Sequence, residues 1–266
     1  MDIFQAILLA VIEGITEFLP VSSTGHMALT SAIMGINKEP FTKLFEIVIQ
    51  FGAILSVVVL YWKKFFDFRK PGFYIKLMVA IIPALAFGAA FKSHIEVVLG
   101  KPLVIAIVLL SGGIVLLFID RFFTSPEVHE DDDITYRHAF MIGLYQVLAI
   151  VFPGLSRSAA TIIGGMQQKL SRSLAAEFSF YLAVPTMMAA TLKSVYDVYQ
   201  KSPEVLRTEN LTTLLIGSII AFGVSILAIR FLITYLQKNG FRMFGWYRIV
   251  VGLIMIGLIL GGKIPA

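Results

Sequence analysis

Residues 13–26 read E-G-I-T-E-F-L-P-V-S-S-T-G-H, from Glu13 to His26, and they interrupt an apolar run that begins near Ile3 and resumes to about Met34. Proline removes a backbone donor and clashes with the preceding turn, so Pro20, followed by Ser22, Ser23, Thr24 and Gly25, should end one short helix and open another. A second run, Ala139 to Met166, is broken in the same way at Pro153-Gly154, followed by Ser156, Arg157 and Ser158. Around these regions lie apolar stretches of full length, from about Leu44 to Trp62, Tyr74 to Phe91, Pro102 to Ile119, Leu174 to Tyr196, Leu211 to Leu236 and Phe244 to Leu260. A membrane-spanning helix needs about 20 apolar residues. Each of these stretches can span, whereas each broken region reads as two short helices joined by a polar turn.

Composition gives the solvent. Of 266 residues, 58% are hydrophobic and 15% are charged, with a mean hydropathy of +0.85. An ordinary globular domain is about 45–50% apolar and about 25% charged, so a soluble globular protein and a disordered chain are both excluded, and no room is left for an extramembrane domain. The net charge of +5, from 22 Lys and Arg against 17 Asp and Glu, fits basic cytoplasmic loops and implies no nucleic-acid partner. The absence of cysteine removes thiol chemistry, disulfides and cysteine-bound zinc. The start, M-D-I-F-Q-A-I-L-L-A-V-I-E-G, has neither a basic n-region nor a small-residue cleavage site, so no signal peptide is expected.

The order of elements repeats: a broken pair then three spans over about 3–119, a linker over about 120–138, and a broken pair then three spans over about 139–262. Pro20 precedes Pro153 by 133 residues, and Ser23 precedes Ser156 by the same interval. If each broken pair enters and leaves on one side, each half has an odd number of crossings. The expected fold is therefore an all-α polytopic membrane protein of two inverted-topology repeats, a plan that brings discontinuous helices together near the midplane. Six crossings collect thirteen Lys and Arg on one side, from Lys63 to Arg248, and eight on the other. That bias places the richer side in the cytoplasm and the mouth of the first broken pair outside. The acidic linker, with Glu127, Glu130 and Asp131 to Asp133, reads as a solvated loop.

Ionisable groups within membrane segments cost at least about 2.5–3.5 kcal/mol, so they are functional candidates by default. Glu13 and Glu17 stand four apart on one helix face, and the break after them brings Ser22, Ser23 and His26. The second break brings Gly154, Ser156, Arg157, Ser158 and Thr161. A helix opening after Pro153-Gly154 leaves backbone N–H groups free for a phosphate, Arg157 adds a planar fork matched to phosphate oxygens, and the hydroxyls can donate further. His26, one turn after Ser23, is placed to be its base, with Glu17 holding the imidazole tautomer. Glu13 and Glu17 could instead hold Mg²⁺ or Ca²⁺ against phosphate oxygens. Plainer readings compete with these. Serine and threonine often bond the i−4 carbonyl, the prolines could simply kink helices, and the charges could be mere ion pairs. His94 and His129 fall in loops and His138 at a membrane edge. Glu46 and Glu177 begin spans, while Gln50, Tyr145 and Gln146 are candidate pocket residues. The 10 Met and 22 Phe pack or face lipid.

The strings from Glu13 to His26 and from Pro153 to Thr161, P-G-L-S-R-S-A-A-T, closely resemble the paired signature motifs of the bacterial undecaprenyl-diphosphate phosphatase family, also known as the bacitracin-resistance family. The likeness extends to F-E-I-V-I-Q-F-G at Phe45 to Gly52, A-E-F-S-F at Ala176 to Phe180, and the order of segments. It implies a multi-pass enzyme of the bacterial inner membrane that hydrolyses undecaprenyl diphosphate to undecaprenyl phosphate, recycling the carrier for peptidoglycan synthesis and conferring bacitracin resistance. It also implies an acidic pair at Glu13 and Glu17, a serine and histidine at Ser23 and His26, a phosphate-binding Arg157, and a pocket open to the outer side. The expected reaction has Ser23 attacking the terminal phosphorus while His26 takes its proton, or water attacking directly with a metal on the glutamates. A polyprenyl-phosphate flippase or anion transporter is the rival, since inverted repeats also build transporters. A second rival, the lipid phosphatases with an Arg-Pro motif, is disfavoured because no Arg-Pro dipeptide occurs. Oligomeric state is left open, a homodimer included.

Overall fold

The computed structural model describes residues 1–91 and 97–264, so the reading of His94 lies outside the described residues. Among the described residues, ten helices of eleven residues or more order the chain: α1 (Ile3–Thr16), α2 (Ser23–Ile33), α3 (Pro40–Leu60), α4 (Pro71–Ala90), α5 (Pro102–Phe122), α6 (Tyr136–Val151), α7 (Arg157–Gln167), α8 (Arg172–Lys201), α9 (Thr208–Lys238) and α10 (Arg242–Leu260). Among the described residues there is no strand, only an isolated bridge between Val128 and Leu170. Six helices, α3, α4, α5, α8, α9 and α10, are long and apolar enough to cross a membrane. The protein is an all-α, multi-pass membrane protein, as the sequence predicts.

Local sequence explains where the helices begin. Asp2 caps α1 and Thr135 caps α6, each in a reciprocal capping box that satisfies two otherwise unpaired N–H groups. Pro40, Pro71 and Pro102 stand at the first position of α3, α4 and α5, where a missing N–H costs nothing. The short helices α2 and α7 are capped by Ser22 and Ser156, both in the left-handed region with φ of 72° and 78°. Their hydroxyls accept from Gly25 N and Ala159 N. Helices α2 and α7 are each 11 residues long, and at their far ends Gly35 and Lys169 again take positive φ. The register between the two breaks is therefore one residue away from the proline spacing. Ser156 corresponds to Ser22 as a cap, and Arg157 occupies the position held by Ser23.

Small residues let the helices approach. Helix α1 packs on α9, α6 on α4, α5 on α10, and α3 on both α8 and α9. A Cβ at Gly143 would stand 2.1 Å from Ala80 O, and one at Gly14 would stand 2.9 Å from Ala221 O. In lipid such contacts replace the hydrophobic drive that holds soluble helices together.

One expectation changes. Arg248, counted as a loop charge, is fully buried within α10; removing it reduces the richer side to twelve and weakens the charge bias. The acidic linker is solvated as expected, but it is also tied to the basic loop before α4. Asp132 pairs with Lys70 at 2.8 Å, Asp131 pairs with Lys64, and Lys76 Nζ donates to Asp131 O at 3.2 Å. The hydrogen bond from Lys70 holds the Asp132 carboxyl below its usual range and raises the lysine in turn.

Candidate active site

Both breaks line one cavity of about 160 Å³, bounded by Glu17, Ser22, Ser23, Thr24, Gln50, Ala149, Gly154, Ser156, Arg157 and Met187. Larger clefts of about 510 and 570 Å³ are lined by Lys169 and Arg172 and by Lys63, Lys70 and Asp132. Neither contains a residue of the two breaks.

The cavity is formed by two helix N-termini. The first-turn N–H groups of α2 and α7 have no intrahelical acceptors, and both helix dipoles present their positive ends. Gly154 makes the second turn feasible: its φ is 99°, and a Cβ there would sit 2.6 Å from Ile105 O. Glu17 lies between the two breaks. Its Oε1 accepts from Arg157 Nη2 at 2.8 Å and its Oε2 accepts from Ser23 Oγ at 2.6 Å. Arg157 is fixed further by donating to Ser179 O at 2.8 Å, while its Nε is buried without a partner. A buried unpaired donor is costly unless something accepts from it, and a phosphate oxygen in the cavity would do so.

The triad geometry differs from the expectation. Ser23 donates to Glu17, so Glu17 is the group placed to take its proton. His26 turns elsewhere, with Nδ1 2.8 Å from Ser22 O and Nε2 2.8 Å from the Tyr247 hydroxyl. A carbonyl can only accept, so Nδ1 carries the proton and Nε2 accepts from Tyr247. Tyr247 on α10 also stacks nearly parallel to the ring, with centroids 5.4 Å apart.

The remaining hydroxyls are largely spent inside the protein. Ser158 Oγ donates to Leu19 O at 2.8 Å and Ser156 Oγ lies 2.9 Å from Ser158 Oγ. The Ser158 proton is committed to Leu19, so Ser156 donates to Ser158 in that pair. Thr161 bonds Arg157 O, its i−4 carbonyl, at 2.9 Å and lies 2.6 Å from Ser179 Oγ. Ser158 and Thr161 therefore tie elements together, where direct phosphate contacts were expected. Ser22 is a helix cap that borders the cavity.

Glu13 is fully buried and neither of its oxygens has a partner; the same holds for both amide atoms of Gln146 and for Glu46 Oε1. Among the described residues no group of three or more His, Asp or Glu is placed to hold a metal. Gln50 borders the cavity, whereas Tyr145 packs against Gly164. Glu177 accepts from Tyr181 at 3.3 Å, away from the site. His129 is exposed, and His138 serves the α6 capping box. Tyr247 was not singled out in the sequence and Arg248 was counted only as a loop charge, because both stand near the start of the last span. The signal that could have found them is the Gly112-Gly113 pair, two adjacent glycines inside an apolar span.

The class this defines is a multi-pass membrane protein in which two proline-marked turns bring an arginine, and a serine hydrogen-bonded to a carboxylate, to one cavity. The family model described as bacitracin resistance protein BacA matches residues 6–254, and the chain belongs to that family. It is 55% identical over 256 residues to an undecaprenyl-diphosphatase of Flavobacterium psychrophilum, covering 96% of this chain and 95% of that one. Similar proteins of the same name occur in Porphyromonas gingivalis, at 50% identity with 98% of each chain covered, and in Enterococcus faecalis, at 41% with 96% of each covered.

Proposed function

We propose that this chain hydrolyses undecaprenyl diphosphate to undecaprenyl phosphate and inorganic phosphate in the bacterial inner membrane. The observation that carries this reading is the convergence of two helix N-termini and Arg157 on a serine already bonded to a carboxylate. The names of its relatives support the choice of lipid. Ser23 Oγ attacks the terminal phosphorus, forming an O–P bond as the bridging P–O bond breaks and undecaprenyl phosphate leaves. Glu17 accepts the serine proton. Arg157 and the first N–H groups of α7 hold the equatorial oxygens, where fixed donors are most effective. Water then cleaves the phosphoserine, Glu17 returns a proton, and phosphate departs. His26, with Nε2 the acceptor, is suited to activate that water once Tyr247 releases it.

Glu13 fits a hard cation because both of its buried oxygens lack partners, and Glu17 has lone pairs beyond those used by Ser23 and Arg157. Mg²⁺ or Ca²⁺ there would neutralise phosphate charge. The common plan of the breaks, down to caps and helix lengths, supports two inverted repeats, and the charge bias supports an outward-facing pocket. From that side the enzyme would recycle the wall-polymer carrier and confer bacitracin resistance. A flippase would use Arg157 but has no need of an activated serine. The test is phosphate release by purified protein in detergent, without a membrane gradient and with or without chelator. Release sustains the reading, and its absence from folded protein defeats it. Loss with chelator assigns the cation.

A further inference from the structure

Arg248 is fully buried and is among the largest such side chains of the described residues. Its acceptors are all main-chain carbonyls. Nε donates to Leu109 O at 3.1 Å, Nη1 to Pro20 O at 3.2 Å and Leu155 O at 2.8 Å, and Nη2 to Gly154 O at 3.1 Å. No carboxylate lies within ion-pair distance among the described residues. An unpaired buried cation is costly, and mutual charge neutralisation does not explain its presence. Pro20 stands three residues before Ser23, while Gly154 and Leu155 immediately precede Ser156 and Arg157. One planar fork therefore joins the two breaks at the carbonyls freed where their helices stop.

The neighbouring helix is built to admit it. A Cβ at Gly112 would fall 2.2 Å from Arg248 Nη2, and one at Gly113 would fall 2.9 Å from Arg248 Cβ. The two glycines of α5 thus form the slot through which the guanidinium reaches both breaks.

We propose that Arg248 is a positioning residue that sets the distance and register between the break carrying Ser23 and the break carrying Arg157. It acts through main-chain carbonyls and touches no reacting atom. Guanidinium rigidity is what the role requires. A lysine would keep the charge but could not reproduce a planar fork over carbonyls from three segments.

The kinetic part of the test rests on the proposed hydrolysis, so a second arm is independent of it. In Arg248→Lys, kcat should fall about 100-fold, the scale of an ångström-level misplacement. KM and inhibition by inorganic phosphate, which depend chiefly on Arg157 and the first N–H groups of α7, should change less than about 3-fold, because ground-state binding is largely kept. Gly112→Ala, which displaces the guanidinium without removing it, should lower kcat about 10-fold with the same pattern. Both are assayed well below their own melting transitions, where a merely structural residue would leave kcat per folded molecule at the wild-type value. The independent arm uses the absence of native cysteine. Spin labels on Ile33→Cys in α2 and Gln167→Cys in α7 should give one narrow distance with Arg248 and a broadened one in either variant. Wild-type kcat in folded variants, or an unchanged label distance, overturns the proposal. An inactive wild type with broadened variant distances would fail the hydrolase reading while sustaining the clamp.

Discussion

Around Ser22 and around Ser156 the backbone follows one plan. A proline precedes a serine with φ near +75°, whose hydroxyl caps an 11-residue helix. The side chains set on that plan differ. The first break carries Glu17, Ser23 and His26, which in the proposed reaction accept and move protons. The second carries Gly154 and Arg157, which present donors. The pair teaches that the turn itself supplies an anion-ready N-terminus, and that the first residue of the following helix decides its use, serine at 23 and arginine at 157.

The comparison is broken most severely at its acidic side. Ser23→Ala should lower kcat/KM about 10³-fold or more, as loss of an activated nucleophile does, measured as phosphate release. Arg157→Lys keeps the charge but loses the fork, and should cost about 10²-fold, with weaker inhibition by inorganic phosphate. Tyr247→Phe removes one hydrogen bond to His26 and should cost about 10-fold or less. Ser22→Ala and Ser156→Ala lose equivalent caps and should each destabilise by about 1 kcal/mol in detergent melting experiments. Clearly unequal losses would mean that the two caps are not equivalent.

The smallest effect lies outside the site. The Asp132 carboxyl is lowered in the folded protein, so its contribution is present above the ordinary aspartate range and lost as pH falls through its depressed value. Lys70 is raised, and its contribution is lost as pH rises above the ordinary lysine range. Docking of the linker should therefore be unchanged across neutral pH. Asp132→Asn should leave kcat alone and shift melting only slightly, because the pair is exposed, which thermal scans at pH 7 and below 4 would check.

The six spans and both breaks were legible because proline and apolar length act locally. The correspondence between breaks was legible only to within one residue, since proline spacing does not report which serine takes the cap. Glu17, Ser23 and Arg157 were identified as types, but their pairing was not. Whether Ser23 meets His26 or Glu17 depends on side-chain directions at a turn, which helical spacing does not fix. Tyr247 and Arg248 come to the site from a helix more than 200 residues away in the chain, and only tertiary packing connects them to the breaks. Ser158 and Thr161 were found as polar residues, and the i−4 bond of Thr161 to Arg157 O follows from helical spacing, but their contacts with Leu19 O and Ser179 Oγ are ones a one-dimensional reading does not place nearby.

The central claim is a division of labour, with attack from the first break and phosphate held by the second. Equilibrium binding of undecaprenyl diphosphate to folded Ser23→Ala and Arg157→Lys, beside turnover by the same preparations, tests it most directly. The account predicts that Ser23→Ala binds within about 3-fold of wild type while failing to turn over, and that Arg157→Lys binds about 10-fold or more weakly. Turnover by Ser23→Ala at a substantial fraction of the wild-type rate, or wild-type affinity in Arg157→Lys, would contradict it.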